Sequence, residues 1–502
     1  MNSIPLLTIL ALLPLVGALV VSLVRGAIGR IIGLGFALTT AILGVVVVVL
    51  AQSTSLAENH IWIRAIGAHY ALDVDGMGSI LVLLTVILVP VVMIAEWNVG
   101  DHEQARWSTS TFFALALALQ GLALFVFLSA DALLFYIAFE ATLIPMYFLI
   151  AGWGGVGRTR AAIKFLLYSL LGGLVMLVGI AGLYAVSAAA GDPTFLLADL
   201  ADLNFSGAIG NWLFVAFFFA FAVKAPLAGL HTWLPDAAEQ ARPGASTLLV
   251  GILDKIGTFG MIKICLMVFP EASRWAAPVI MIWAVASMIY GALMALGSKD
   301  LLRFVSYTSI SHFGFMVFGV FAMTTQSLTG AMFYMLAHGL SSAALFLVIG
   351  ALIRRRGSAA MDAYGGFQKV TPVMAGFLLI AGLSTLSLPG FASFIGEFIV
   401  MAGSFGRYPI HTAVIVIGMV LAAAYVLTMY QRTATGPVTE QVRTTFTHDM
   451  SLRERTAVVP LILLLLAFGF FPKPMLEMAD ATATRAMSAV GMQDPTPQEG
   501  DR

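Results

Sequence analysis

The chain is 502 residues long, 60% hydrophobic and only 10% charged, with a mean hydropathy of +0.97. Soluble domains carry about 25% charged residues, so this composition excludes a cytosolic protein and places the chain in a lipid bilayer. Acidic and basic residues balance at 26 each, and the isoelectric point is near 7.1, which leaves no basic surplus for nucleic acid.

A helix needs about 20 apolar residues to cross the hydrocarbon. Read in chain order, the sequence predicts an all-α integral membrane protein of about fourteen spans. They lie near 4–24, 27–50, 77–95, 110–129, 131–151, 162–187, 209–230, 244–269, 276–296, 301–322, 327–353, 371–403, 411–431 and 456–472. No positive segment precedes the first apolar stretch, which reads as a membrane helix and not a cleaved signal. The eighth run holds the single cysteine, Cys265, which excludes an intrachain disulfide or an iron–sulfur cluster held by this chain alone. Any redox chemistry must therefore belong to partners. The loops are short except 52–76, 188–208 and 432–455, none of which has room for a catalytic domain, and the polar tail 487–502 reads as disordered.

Short cytoplasmic loops carry an excess of Lys and Arg. With the N-terminus outside, the inner loops hold seventeen basic residues, among them Arg25, Arg158, Arg242, Arg303 and Arg354 to Arg356. The outer segments hold six: Arg64, Arg274, Arg407, Lys473, Arg485 and Arg502. This bias predicts both termini on the outer side of a bacterial cytoplasmic membrane.

Two spans are interrupted near their middles, the seventh at Lys224-Ala-Pro226-Leu-Ala-Gly229 and the twelfth at Leu388-Pro389-Gly390. Proline removes a backbone donor, and the freed groups need protein or water partners at membrane depth. Each break is fourth in a set of five spans, 4–8 and 9–13, running in opposite directions. Paired interruptions of this kind are the signature of two inverted five-helix repeats with discontinuous helices 7 and 12. The chain then divides into N-terminal spans 1–3 (1–109), a first repeat (110–269), a second repeat (270–431), an inner loop with span 14 (432–486), and the tail (487–502).

Ionisable residues at membrane depth are costly and mark ion or proton paths. Glu140, Lys224, Lys255 and Glu397 each lie inside a different apolar run. The competing reading for each is a buried structural hydrogen bond or a permanent ion pair. Asp254 adjoins Lys255, yet neighbours in a helix do not face one another, so the two should meet different partners. Lys263 lies about two turns further on and nearer a surface. His231, His312 and His338 fall within the same bundle and are relay candidates, because histidine titrates near neutral pH. No spacing suits a zinc or haem site, and no phosphate-binding glycine loop occurs.

The stretch KAPLAGLHTWLPDA (224–237), with FEATLIPMYFLI (139–150), YTSISHFGF (307–315), MLAHGLSSAALFL (335–347) and SLPGFASFIGEF (387–398), resembles the antiporter-like membrane subunits of respiratory complex I, the proton-translocating NADH:quinone oxidoreductase. The resemblance spans the third to fourteenth segments. Glu397 in the second broken helix, where the sister L and N types usually carry lysine, makes it most similar to the M-type branch, as does the early end of the chain. The resemblance implies proton translocation without a redox centre in this chain. It assigns flavin, iron–sulfur clusters and quinone to partner subunits and implies association with the sister subunits L and N. It also implies that Glu140 and Lys224 form the ion pair of an input half-channel, Lys255 the central relay and Glu397 the terminal group, with His312 and His338 bridging through water. One departure stands out: Ala238 occupies a position where the family often has histidine. Two alternatives are a subunit of a multisubunit sodium/proton antiporter, which shares the implied fold, and a structural membrane scaffold.

Overall fold

The computed structural model describes residues 4–24, 26–102, 105–203 and 205–495. Arg25 and Arg502 of the orientation count, and 496–502 of the tail, lie outside the described residues. Among the described residues, eleven helices are long and apolar enough to cross a membrane, and a bent helix pair at the C-terminal end makes up to twelve. The remaining apolar stretches of the sequence are also helical but interrupted. The eighth runs through 243–266 with two π-helical turns, and the twelfth is split into Pro372–Thr385 and Ala392–Phe405.

The bundle is layered by burial. Leu301–Phe321 and Thr325–Arg356 are apolar around their circumference and enclosed by other helices, which is how a helix with no polar face is accommodated. Leu6–Leu23, Ala27–Ala51, Arg158–Ala190 and Pro409–Ala434 bury one face and expose leucine, isoleucine and valine on the other, for example Leu19, Ile42, Leu171, Val178 and Val420. Such a rim is an aggregation hazard in water and a natural lipid-facing surface in a bilayer.

The fold is all-α as expected, with one small addition in a loop and one correction at the tail. Within loop 52–76, Glu58–Ile63 and Ala68–Leu72 pair as an antiparallel hairpin closed at Gly67, whose φ of 69° is left-handed. From that hairpin the Glu58 carboxylate accepts from the Leu7 and Thr8 amides and the Thr8 hydroxyl, satisfying donors that the first helix leaves open. The tail also begins later than expected. Lys473–Val490 is a helix bent 71° from Leu452–Phe470, and it buries Met475, Ala479, Ala483, Ala486 and Val490 against the bundle. Small residues at four-residue spacing allow this close approach, so 487–490 is ordered by packing that a local polar composition does not reveal.

Both central interruptions are real. Gly207–Lys224 ends at the lysine, and Trp233–Gln240 resumes after a non-helical turn. The backbone groups freed there find side chains: the Ala228 amide donates to Ser287, Trp283 donates to the Ala228 carbonyl, and Trp233 donates to the Val223 carbonyl. In the other broken span, Ser387 takes a left-handed φ of 61° just before Pro389.

Candidate functional site

The chain places its buried charges at helix irregularities. Glu140 lies in the last turn of Ala132–Ala141; a turn at Thr142 separates it from Leu143–Trp153, whose third residue, Pro145, offers no amide. Lys224 ends its half-helix, and Asp254 joins the π-helical turn Leu249–Leu253 to the helical turn that Lys255 opens. Such irregularities leave backbone groups and space for polar partners inside an apolar bundle.

Around Glu140 and Lys224 the charges are near one another but do not touch. Lys224 is 1% exposed, and its ammonium lies 5.2 Å from the Phe139 ring centre and 5.3 Å from that of Phe165. Both rings offer cation–π attraction. The Lys224 Nζ and Glu140 Oε1 atoms are buried without a hydrogen-bond partner, and no contact ion pair joins the two residues. Glu140 and Asp254 are nevertheless the acids that act on Lys224 electrostatically. The Glu140 carboxylate lies against Gly173, where an added Cβ would overlap it. On the same helix, Phe165, Ser169 and Gly173 recur at four-residue spacing, hence on one face. The Ser169 hydroxyl, between the residues that touch the lysine and the glutamate, is also buried without a partner.

Asp254 and Lys255 diverge as adjacent helical side chains must. Asp254 is fully buried with neither carboxylate oxygen hydrogen-bonded. One turn beyond it, Gly257 sits so close to the Phe221 carbonyl and the Ala225 amide that a side chain there would clash, so that helix face meets the break after Lys224. Lys255 turns toward the second half. Its ammonium donates to the Val250 carbonyl at 2.7 Å, lies 2.6 Å from His338 Nδ1, and stands 4.9 Å from the Phe313 ring centre.

From His338 the polar groups continue. Its ring centre is 5.3 Å from that of His312, and its Nε2 has no partner of its own. His312 Nδ1 is hydrogen-bonded to the Tyr334 hydroxyl, which donates to Glu397 Oε1 at 2.5 Å. His312 Nδ1 is itself 3.5 Å from that carboxylate oxygen, and the Tyr425 hydroxyl lies 3.3 Å from His312 Nε2. Three polar side chains, His338, His312 and Tyr334, thus connect Lys255 to Glu397, with one gap between the histidine rings. A narrow cavity lined by Ser311, His312, Glu397, Met419 and Tyr425 adjoins the far end.

Two relay candidates lie elsewhere. Lys263 forms a 2.8 Å ion pair with Asp75, the N-cap of Gly76–Ala95, and Arg485 stands 3.8 Å from the same carboxylate. His231 Nδ1 accepts from the Gly229 amide, and its ring faces Tyr290 at 5.0 Å and Tyr307 at 6.4 Å. It therefore links the first break to Pro270–Gly297 and Leu301–Phe321, and does not join the line through Lys255. Beside it, Asp236 on the resumed half-helix bridges Lys164 at 2.7 Å and Arg303 at 2.8 Å, while Glu239 pairs with Arg303 at 2.7 Å. Burial alone would push the Asp236 carboxyl up, but Lys164 and Arg303 hold it below the usual carboxylate range.

Tyr334 and Tyr425 were not among the residues expected from sequence. Tyr334 is four residues before His338 on one helix, so it shares that face. That spacing was the available signal. Tyr425 is brought in from another helix and had none. Among the described residues, no group of three His, Cys, Asp or Glu side chains is placed to hold a metal ion.

Residues 129–422 match the family profile described as NADH:quinone oxidoreductase/Mrp antiporter, transmembrane. NADH-quinone oxidoreductase subunit M of Mycobacterium tuberculosis is 43% identical, over 99% of this chain and 96% of the relative. A chain of respiratory complex I from Thermus thermophilus with bound NADH superposes with a TM-score of 0.87 at 29% identity, covering 97% of this chain and all of the other. A chain of the Mrp complex from Dietzia gives a TM-score of 0.84 at 21% identity, over 98% of this chain and 100% of that one, which shows a shared fold.

Proposed function

The chain belongs to the antiporter-like membrane subunits of NADH:quinone oxidoreductase, and from that premise we propose that it moves protons along Glu140, Lys224, Asp254, Lys255, His338, His312, Tyr334 and Glu397. It contributes no redox centre. Flavin, iron–sulfur clusters and quinone reside in partner subunits, and the sister L- and N-type subunits of the membrane arm are among its partners. The membrane is the bacterial cytoplasmic membrane, with both chain termini on its outer side, and the two broken spans belong to inverted repeats 4–8 and 9–13.

The observation that carries this reading is the polar line from Lys255 to Glu397 through a bundle that is otherwise apolar. A hydrogen bond in such surroundings is expensive to break and costly to leave unmade. The unpartnered atoms of Glu140, Lys224, Asp254 and His338 support water-bridged transfer over the intervals that side chains do not close. Moving one charge against the membrane potential costs about 2.3 kcal/mol per 100 mV. Coupling must therefore change the balance between acids and bases, and neighbouring groups such as Glu140 and Lys224, which interact without being locked together, suit that task.

The direct test is Lys255→Met in the assembled complex, with proton translocation measured per NADH oxidised in proteoliposomes. The expected result is normal assembly with translocation strongly reduced. An assembled variant that pumps at the normal ratio would remove Lys255 from the path.

A further inference from the structure

Past Glu397 the polar line meets an apolar seam. On the half-helix Ala392–Phe405, Val400 and Ser404 follow Glu397 on the same face. Val400 is fully buried. Two neighbouring helices close on it through glycines. A Cβ added at Gly319 of Leu301–Phe321 would stand 3.0 Å from one valine methyl and 3.1 Å from the other. At Gly330 of Thr325–Arg356 it would stand 2.7 Å from the Val400 amide nitrogen and 3.1 Å from the Gly396 carbonyl. Three backbones therefore converge on one isopropyl group, and contacts this short fill the seam with methyl groups and backbone.

Beyond the valine the polar groups resume. The Ser404 hydroxyl lies 3.1 Å from that of Ser327 and donates to the Val400 carbonyl at 2.7 Å. The Ser327 hydroxyl donates to the Gly319 carbonyl, also at 2.7 Å. Thr324 donates to the Gly403 carbonyl at 3.0 Å, and the adjoining Thr325 amide donates to Asp494 at the surface. Val400 thus separates two hydrogen-bonded regions: the network of His312, Tyr334 and Glu397, and a hydroxyl cluster near the surface. An apolar constriction of this kind blocks an ion by excluding water.

We infer that Val400 is the barrier that holds a proton on Glu397 back from the outer surface, and that it opens when Ala392–Phe405 shifts away from its two neighbours. This inference rests on the proton line and the orientation proposed above, and it adds a closed end to that line. The half-helix follows the break at Leu388-Pro389-Gly390, so it can shift without carrying Pro372–Thr385 with it. Opening lets water join the carboxylate to the Ser327 and Ser404 hydroxyls. Closing restores the dry seam, without which the membrane potential would drive protons back along the line.

The test reads passive proton entry into proteoliposomes holding the purified complex, without NADH, under a potential imposed with potassium and valinomycin. Val400→Ser opens space beside a hydroxyl and should raise the leak about tenfold, a barrier lowered by about 1.4 kcal/mol. Val400→Thr keeps the shape of the side chain and should leak in the same direction, which supplies the reading if serine loosens the seam. Val400→Ile, larger and wholly apolar, should stay as tight as the wild type. In the double variant V400S/E397Q the extra leak should disappear, because the route passes through Glu397. Assembled V400S and V400T complexes as tight as the wild type would overturn the inference. So would an equal leak in V400I, which would mean general loosening, or an undiminished leak in V400S/E397Q. E397Q alone separates the two readings: normal NADH-driven pumping there rejects the proton line itself, whereas lost pumping in E397Q beside a tight V400S rejects only the barrier.

Discussion

The two broken spans use the same device to different ends. At the first, the ionisable atoms of Glu140, Lys224 and Asp254 are buried close together without hydrogen bonds among them, with aromatic rings against the ammonium. At the second, Glu397 is bonded to Tyr334, and Tyr334 to His312. One region is a set of separated charges whose balance can be shifted; the other is a nearly closed chain of donors and acceptors. An unpaired buried charge is costly, and a satisfied polar network is rigid. The first region therefore suits a switch and the second suits conduction.

This contrast can be broken at several points. The largest effect should come from Glu397→Gln, which keeps the size of the side chain and removes its charge. Translocation per NADH should fall at least about tenfold, equivalent to about 1.4 kcal/mol of barrier, and preserved pumping in liposomes would contradict a conducting role. Glu140→Gln should reduce pumping nearly as much while the complex assembles, and Lys224→Ala should do the same. The shorter acids separate the two regions more sharply. Glu397→Asp withdraws the carboxylate from Tyr334 and should impair pumping severely, whereas Glu140→Asp has no direct bond to lose and should retain most activity. Equal losses in the two aspartate variants would mean that the regions do not differ in this way.

A smaller pumping effect with a larger stability effect is expected at Lys263→Ala. Its loss leaves Asp75 buried beside Arg485 alone, a destabilisation of about 3 kcal/mol by the usual cost of orphaning a buried partner. A lowered thermal midpoint with a near-normal proton ratio would confirm that it stands off the path. The mildest effect concerns Asp236. Its folded-state carboxyl lies below the usual range, so its clamp on Lys164 and Arg303 stabilises the fold above that range and is lost as pH falls through the folded value. Asp236→Asn should lower the thermal midpoint at pH 7, and the difference from wild type should shrink as pH falls below the ordinary aspartate value of about 3.9.

The resemblance that the motifs carry was already visible in KAPLAGLHTWLP and SLPGFASFIGEF, and the comparisons place the chain in that family. The irregular helices at Lys224 and Pro389 were legible because proline and glycine act locally. The contacts were not. Glu140 and Lys224 look like a ready ion pair by type and depth, yet Phe139 and Phe165 occupy the faces of the ammonium. Lys263 is a relay candidate by type and depth, and only the fold pairs it with Asp75, 188 residues away in sequence.

Composition, hydropathy and the position of charges within apolar runs determined that this chain lives in a membrane and carries ionisable groups at depth, because those properties follow from each segment's own solvation. Which of these groups touch was decided only by the packing of separate helices. Tyr334 and Tyr425 join His312 because three helices converge there. A hydrogen bond depends on positions to within a fraction of an ångström, and no pattern along one segment fixes the distance to another.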